Sequence, residues 1–294
     1  MSATEQPLFD PHLHFFELDD GEYDWLRPES APFWPDKAKI AKSFTLSQLH
    51  SEIDGMSMPK SDYRFVHIEA GFNNENPKAE IIWLEAHMRG SAINYRSIAC
   101  CNLLLPPEVF KQQIKELESY SSVVGVRDIL DEQAVDYLAM PSVKDNLAWL
   151  ATRGLIFECQ CDCSDPLVVE QMCLFLAANP EARWVINHCG GKVFTDGSAT
   201  GEDWVTLAQL ATFPNVYIKA SGWEMHNRDF SWSDVETTVA ALVDIWGKKR
   251  VMIASNFPLL TWRMSYAEFW RGMAERFAKT PELLYENAER VYFR

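Results

Sequence analysis

Residues 8–15 of the chain read LFDPHLHF, a short apolar run that ends in His12-Leu13-His14. Side chains two positions apart on a β-strand point to the same face, so this stretch predicts a strand with both imidazoles on one face. Seven similar apolar runs follow, each separated from the next by a polar turn and a segment with helical character. The eight predicted strands are Leu8–Phe15, Arg64–Ala70, Ser97–Leu103, Val123–Ile129, Leu155–Cys161, Trp184–Cys189, Val216–Ser221 and Val251–Asn256.

The spacing of these runs is regular. Their first residues advance from 8 to 251, which gives about 35 residues for each strand-and-helix unit. Strands that alternate with helices imply a parallel sheet, and eight such units close into a barrel. The sequence therefore predicts an α/β fold, a (β/α)8 or TIM barrel. Ser233 with Glu236 and Ser265 with Glu268 have the spacing of capping boxes and predict two of the helix starts.

One barrel accounts for nearly all of the 294 residues, and no Ser/Gly-rich linker divides them, so we expect a single domain over residues 1–294. The connection over residues 16–63 is much longer than the others and carries Trp25, Pro32 and Trp34. Because it follows a barrel strand, we expect it to lie over the carboxyl-terminal mouth of the barrel, where it would cover a pocket.

Composition excludes several classes of partner. A formal charge of −15 argues against nucleic acid, which is held chiefly by clustered Lys and Arg. No apolar run approaches the length of a membrane span, and the first residues lack the pattern of a signal peptide.

Seven cysteines are an odd number and favour reduced thiols in a cytoplasmic protein. Soluble enzymes are most often symmetric dimers, so a homodimer is one candidate assembly.

Polar side chains interrupt the predicted strands near their carboxyl ends. A strand of a parallel sheet is normally almost continuously apolar, so the interruptions indicate a shared polar pocket. In a (β/α)8 barrel the carboxyl ends of the strands carry the active site. The residues are His12, His14, His67, Glu69, Arg127, Glu158, Gln160, His188, Lys219 and Asn256, with Trp223 in the turn after the seventh strand.

Three cysteines, Cys159, Cys161 and Cys163, alternate along the fifth strand. Their positions alternate with those of Glu158 and Gln160, so the thiols should face the helix layer if these two face the barrel interior. We interpret them as buried apolar side chains and not as metal ligands.

Five stretches resemble the amidohydrolase superfamily: FDPHLHFF, INHCGG, NVYIKASG, VMIASNFP and the closing ENAERVYFR. More narrowly they are similar to its amidohydrolase-2 branch, which includes 2-pyrone-4,6-dicarboxylate lactonase and the sugar-acid lactonases. The similarity runs in order from Phe9 to Phe293. It implies a hydrolase that acts on a small molecule.

The resemblance also implies site residues. His12 and His14 match the family's strand-one histidine pair, and His188 matches its strand-six histidine. Arg127 is similar to the branch's strand-four arginine, which holds a substrate oxygen or carboxylate. Asn256 stands where the family normally has the aspartate that activates water, and a neutral amide cannot accept that proton. For the missing base, the candidates are His12, His188 and Glu158.

Further substrate contacts are expected from Lys219, Glu69 and Trp223. Two alternatives stay open for the cofactor. One divalent metal, such as zinc, would take His12, His14 and His188 as ligands, with Glu158 as a possible fourth. Alternatively, the histidines polarise the carbonyl without a metal, as in some relatives of the lactonase branch. A two-metal site is not expected, because the strand-five histidine and the bridging lysine of two-metal members are absent.

Three functions follow from these features. The leading one is a hydrolase that opens a small lactone, either a sugar-acid lactone or a carboxylated lactone of aromatic catabolism. The first alternative is a decarboxylase similar to the aminocarboxymuconate-semialdehyde enzyme, against which Asn256 counts. The second is a binding protein on a barrel that has lost catalysis, motivated by the same asparagine.

Overall fold

The computed structural model describes residues 7–54, 56, 63–191 and 202–293, and the predicted eight strands form one sheet within them. Each strand pairs in parallel with the next, and a parallel bridge from Leu13 to Phe257 brings the last strand back to the first. This confirms the (β/α)8 barrel. The strands are β1 Leu8–Leu13, β2 Tyr63–Ile68, β3 Asn94–Cys100, β4 Val123–Ile129, β5 Ile156–Gln160, β6 Arg183–Ile186, β7 Val216–Ala220 and β8 Val251–Ile253.

Helices connect the strands on the outside of the barrel. Asp165 caps the sixth helix through the backbone N–H of Leu167, with Pro166 at its first position. No helix within the described ranges has both the length and the apolar content needed to cross a membrane. The helices are α1 Leu46–Asp54, α2 Lys78–Met88, α3 Pro107–Leu117, α4 Ala134–Ala139, α5 Pro141–Thr152, α6 Pro166–Ala178, α7 Glu202–Leu210, α8 Trp223–His226, α9 Trp232–Trp246, α10 Tyr266–Arg276 and α11 Asn287–Tyr292.

The apolar core has two parts. The larger lies between the strands and the helices and includes Cys159, Cys161 and Cys163, as the alternation along β5 predicts. The smaller fills the barrel interior, where Ala288, Val291 and Tyr292 of α11 pack against inward-facing strand residues such as Phe9. The interior is therefore closed at its amino-terminal end by the last helix, which leaves the carboxyl-terminal end for the polar residues.

The long connection after β1 is ordered where it is described; of its predicted range, residues 55 and 57–62 lie outside the described residues. It contains two short 3-10 turns, Asp24–Leu26 and Lys37–Lys39, and then α1. The indole N–H of Trp25 donates to the carbonyl of Ala70, 2.7 Å away at the end of β2. This contact ties the connection to the mouth of the barrel.

Candidate active site

A cavity of about 720 Å³ opens at the carboxyl ends of the strands. Trp25, Pro32 and Trp34 of the long connection form part of its wall. Of the polar strand-end residues singled out in the sequence, six line the cavity: His14, Glu69, Arg127, Gln160, His188 and Asn256. The barrel therefore brings together side chains that are far apart in sequence.

His12 and His14 lie next to each other, with their Nε2 atoms 3.2 Å apart. The Nδ1 atom of His14 is 2.8 Å from the carbonyl oxygen of Ile68, so this nitrogen carries the proton and donates it. Burial lowers the pKa of both imidazoles well below the usual range, for His12 with the help of Lys219 and for His14 with that of Arg127. Both rings are therefore neutral at neutral pH.

Lys219 and His12 lie beneath the cavity and are fully buried. The Lys219 Nζ is 2.5 Å from Glu158 and 3.2 Å from the Nδ1 of His12. Burial lowers the pKa of Lys219 to about 8, although the nearby Glu158 acts in the opposite direction. The amine is therefore mostly protonated at neutral pH and donates hydrogen bonds. The hydrogen bonds then run in one direction: Lys219 donates to Nδ1 of His12, and His12 donates from Nε2 to His14.

Glu158 completes this buried layer. Its Oε1 accepts a hydrogen bond from the hydroxyl of Tyr292, 2.6 Å away. Its Oε2, which also accepts from Lys219, accepts from the side-chain amide of Asn187 at 2.8 Å. Both oxygens are occupied and Glu158 is fully buried, so it holds Lys219 in place. Lys219, from which we expect a substrate contact, does not line the cavity; it lies against the Nδ1 of His12.

Arg127 and Glu69 form a buried ion pair on the cavity wall. The guanidinium donates to Oε1 of Glu69 at 2.7 Å and to its backbone carbonyl at 2.8 Å. Its remaining edge faces Gln160 at 3.4 Å. The pair is fixed from two strands, so Arg127 presents a preorganised cation to the cavity without a change of conformation.

His188 follows β6 in the left-handed backbone region, with φ of 48°. Its Nδ1 is 3.0 Å from the hydroxyl of Ser221, and its ring centroid is 4.6 Å from that of His12. Burial, with help from Arg127, lowers the pKa of His188 well below the usual range. The backbone of Gly222 packs against the ring, since a Cβ at this position would come within 2.9 Å of it.

Asn256 also has a positive φ, 56°, and donates from Nδ2 to Oε1 of Glu224 at 2.5 Å. Glu224 lies on α8, is fully buried, and its Oε2 has no hydrogen-bond partner among the described residues. Burial raises the pKa of Glu224 to about 7. The sequence reading missed Glu224, because it follows β7 on a helical turn and not at a strand end; its proximity to the KASG stretch was the available signal.

The outer wall of the cavity is acidic. Asp128, Asp131 and Asp162 line it on the side of β4 and β5, and none of the three was singled out in the sequence. Arg127 is the one lysine or arginine among the described lining residues, and its charge is balanced by Glu69. The accessible charge of the cavity is therefore negative.

Two expected site residues lie elsewhere. Trp223 is buried behind the cavity, with its ring 6.1 Å from that of Phe230 and 6.2 Å from that of Phe269. The left-handed Gly222 turns the chain into α8, which directs the indole to the helix layer. His67 points outward to Glu80 at 2.8 Å, because it lies on the same face of β2 as Phe65, which packs toward the helices, and opposite to Val66, which faces the barrel interior.

The described side chains do not fit a three-histidine metal centre. Among the described residues, no group of three or more His, Cys, Asp or Glu side chains is arranged to hold one metal ion. The carboxylates of Glu69 and Glu158 are already paired with Arg127 and Lys219, so neither is available to balance the charge of a metal ion. The amine of Lys219 occupies Nδ1 of His12, which places that ring's proton on the Nε2 that a metal would require.

Comparisons with known proteins agree with the fold. An amidohydrolase family model matches residues 9–294. The uncharacterized protein y4mH of Sinorhizobium fredii is 26% identical over 97% of this chain and 98% of its own length. The L-fucono-1,5-lactonase of Burkholderia multivorans is 22% identical over 92% of this chain and 88% of its own length.

Solved structures of an amidohydrolase from Burkholderia multivorans, one with bound HEPES and one with bound Zn, are similar in fold. Each has a TM-score of 0.77 and 19% sequence identity, and each comparison covers 97% of this chain and 99% of the other. Because the family model spans nearly the whole chain, the chain belongs to the amidohydrolase family.

Proposed function

We propose that the chain is a hydrolase that opens the ring of a small, uncharged lactone, of which a sugar-acid lactone is the leading example. The observation that carries this proposal is the meeting of Arg127, His188 and Asn256 around one cavity. An ester carbonyl placed there would have a cation and an imidazole on one side and an amide able to orient water on the other.

In the mechanism we infer, Arg127 and His188 stabilise the oxygen anion that forms when water attacks the lactone carbonyl. Preorganised donors at a developing oxyanion commonly contribute about 10²–10³-fold in rate. The ring C–O bond then breaks, the proton given up by the attacking water passes to the departing ring oxygen, and the product is a hydroxy acid. Lys219 and Glu158 act from below by holding His12 against His14, which fixes the arrangement of the imidazoles.

The charge of the cavity supports an uncharged substrate over a carboxylated one. Asp131 and Asp162 would repel a dicarboxylate, and Arg127 is already paired. Carboxylates accept hydrogen bonds from hydroxyl groups, and the indoles of Trp25 and Trp34 offer flat apolar surfaces to the C–H face of a ring. The similarity to an L-fucono-1,5-lactonase agrees with this choice.

The test is a panel of lactones assayed for ring opening, with L-fucono-1,5-lactone as the uncharged member and 2-pyrone-4,6-dicarboxylate as the charged member. We expect turnover of the uncharged member and a loss of about 10²-fold or more in kcat/KM in His188→Ala. His87→Ala, an exposed histidine on α2, is the matched control and should retain activity. Equal activity in His188→Ala, or release of carbon dioxide from an aromatic acid, would contradict the proposal.

Neutralising the acidic wall should change the preference for substrate charge. Asp131→Asn combined with Asp162→Asn should raise kcat/KM for the dicarboxylate relative to that for the uncharged lactone, by about tenfold, because each removed charge weakens the repulsion by roughly 1 kcal/mol or less at an exposed site. Asp19→Asn, on the exposed surface, is the control. An unchanged ratio of the two kcat/KM values would show that the acidic wall does not select the substrate.

A further inference from the structure

Glu224 places a fully buried carboxylate beside the candidate active site. It lies next to Asn256, the residue that departs from the family's usual aspartate, and the two side chains are 2.5 Å apart. One oxygen of Glu224 accepts from Asn256, and the other is sealed from solvent without a partner among the described residues. A buried carboxylate left half-unpaired is costly, and such groups concentrate at functional sites.

The hydrogen bond fixes the orientation of the Asn256 amide. Because an ionised carboxylate only accepts hydrogen bonds, it must face the NH₂ end of the amide. The amide is planar, so its Oδ1 end is turned away from Glu224, toward the cavity that Asn256 lines. In this state the position offers an acceptor, which can take a hydrogen bond from an attacking water.

Protonation of Glu224 removes this constraint. A protonated carboxyl has an O–H donor as well as a carbonyl acceptor, so it binds either end of the amide, and the amide is free to rotate so that Oδ1 accepts. The NH₂ end then faces the cavity, and the position becomes a donor. The same two residues therefore give two states of opposite polarity at the strand-eight position.

We propose that Glu224 is a positioning residue that holds the Asn256 amide with its oxygen toward the cavity when ionised and releases it when protonated. In this arrangement a carboxylate on α8 takes the place of the aspartate that the family usually has after strand eight. It acts on the attacking water through the Asn256 amide and not directly. The inference about catalysis rests on the proposed lactone hydrolysis, whereas the coupling between the two side chains does not.

The groups around Glu224 are known from the elements packed on α8. Arg228, just after the helix, donates to the backbone carbonyl of Glu224 and is paired with Asp36 of the long connection. His226 lies on α8 itself, and Cys189 and His188 approach from the turn after β6. The turn Leu259–Trp262 also packs on α8, and it contains no ionisable side chain. Burial raises the pKa of Glu224 to about 7, which places the change of state near neutral pH.

Side-chain amide NMR tests the coupling without a substrate. In protein labelled with ¹⁵N-asparagine, the Asn256 resonance is identified by its loss in Asn256→Asp. We expect it to move with pH, with a midpoint near that of Glu224, and to stop moving in Glu224→Gln. The control is Asn146, which is fully buried but donates to the carbonyls of Leu103 and Leu105 and not to a carboxylate; its resonance should not follow this titration.

The kinetic arm uses the pH dependence of lactone opening. In the wild type, kcat/KM should fall by about tenfold for each pH unit below the pKa of Glu224, as expected for one essential ionised group. Glu224→Gln has no group that ionises at this position, so this acid limb should disappear. Glu224→Leu, which offers no acceptor, should lose rate across the whole range.

The outcomes separate the two proposals. An Asn256 resonance that is independent of pH, or one that still titrates in Glu224→Gln, overturns the coupling. An acid limb that persists in Glu224→Gln overturns the catalytic part of the inference. If no lactone is opened but the Asn256 resonance titrates with Glu224, the proposed function fails and the coupling stands.

Discussion

His188 is held in a backbone conformation that few non-glycine residues adopt, and Cys189 after it is in the same region with φ of 57°. Strain of this kind persists only where the surrounding structure imposes it, and it is common at functional sites. Here the hydroxyl of Ser221 and the backbone of Gly222 hold the imidazole from the side of β7. The position of the ring thus depends on its neighbours and not on its own residue type.

Gly222→Ala tests this support. A Cβ at residue 222 would lie 2.9 Å from three atoms of His188, so the ring must move. We expect kcat/KM for lactone opening to fall by about 10²-fold, as for small misplacements of reacting groups. Gly154→Ala is the control, since Gly154 also has a positive φ, 69°, but open space around its Cβ position. Equal losses in both variants would point to backbone strain and not to His188.

Prediction from sequence succeeded for residues at the ends of strands and failed beside them. The strand repeat was enough to bring His14, His188 and Asn256 to one cavity, because parallel strands end at one rim. The repeat did not show which polar side chains reach the cavity and which lie buried beneath it, so Lys219 was expected in the cavity. Glu224 was missed because its contact with Asn256 depends on the path of the turn after β7, which has no sequence period.

At the scale of elements, Asp10 joins the first strand to the last. Its carboxylate accepts from the backbone N–H of Ser255 and of His12, each at 3.1 Å, and from the hydroxyl of Tyr266 at 3.0 Å. The hydroxyl of Ser255 donates as well, at 2.5 Å. These bonds lie beside the closure of the barrel, where β8 meets β1.

Asp10→Asn should destabilise the fold. The amide of asparagine has one acceptor oxygen, and its NH₂ group would face the N–H and O–H groups that donate to Asp10 in the wild type. We therefore expect the free energy of unfolding to fall by about 1–3 kcal/mol at neutral pH. Urea denaturation measures it, with the exposed Asp19→Asn as control. A change within the error of the control would show that Asp10 does not hold the closure.

Asp10 also predicts a dependence of stability on pH. Burial raises its pKa from 3.8 to about 6, in spite of the hydrogen bonds from Ser255 that lower it. A group whose pKa is raised on folding binds more protons in the folded state, so its contribution is fully present below the unfolded pKa and is lost as pH rises to about 6. The slope of the free energy of unfolding over this window should be less negative in Asp10→Asn than in the wild type. An identical slope would contradict the assignment.

Helix starts show why element boundaries are harder to predict than elements. Ser265 caps α10 through the N–H of Glu268, as its spacing predicts. For α9 the expected Ser233 and Glu236 are wrong: Ser231 and Asp234 form the capping box, two residues earlier. Both pairs have the same spacing, and only the fold decides which serine stands at the first turn.

At the scale of the whole molecule, the last helix connects the base of the barrel to the site. Tyr292 of α11 packs within the barrel interior and donates its hydroxyl to Glu158, which binds Lys219, which in turn binds His12. A chain of buried contacts therefore runs from the carboxyl-terminal helix to the imidazoles.

Tyr292→Phe removes the first contact of this chain. It leaves one oxygen of the buried Glu158 without its donor, and we expect the free energy of unfolding to fall by about 1–3 kcal/mol. Tyr137→Phe, on the half-buried α4, is the control for loss of a hydroxyl. If thermal and urea denaturation do not distinguish the two variants, the interior network does not contribute to stability.

The order of the strands followed from the repeat in the sequence, because each unit packs beside the previous one. The acidic wall did not, since Asp128, Asp131 and Asp162 come together only when the ends of β4 and β5 are placed in space. Substrate preference is therefore the property least accessible from sequence.

The most direct test of the account is the rate of ring opening of an uncharged lactone by protein freed of divalent metals with a chelator, with the metal content measured in the same sample. If the cavity acts through Arg127, His188 and Asn256, kcat/KM should be retained in the metal-free protein and lost in His188→Ala. Activity that disappears with the metal and returns when zinc is added, or no opening of any lactone, would contradict the account.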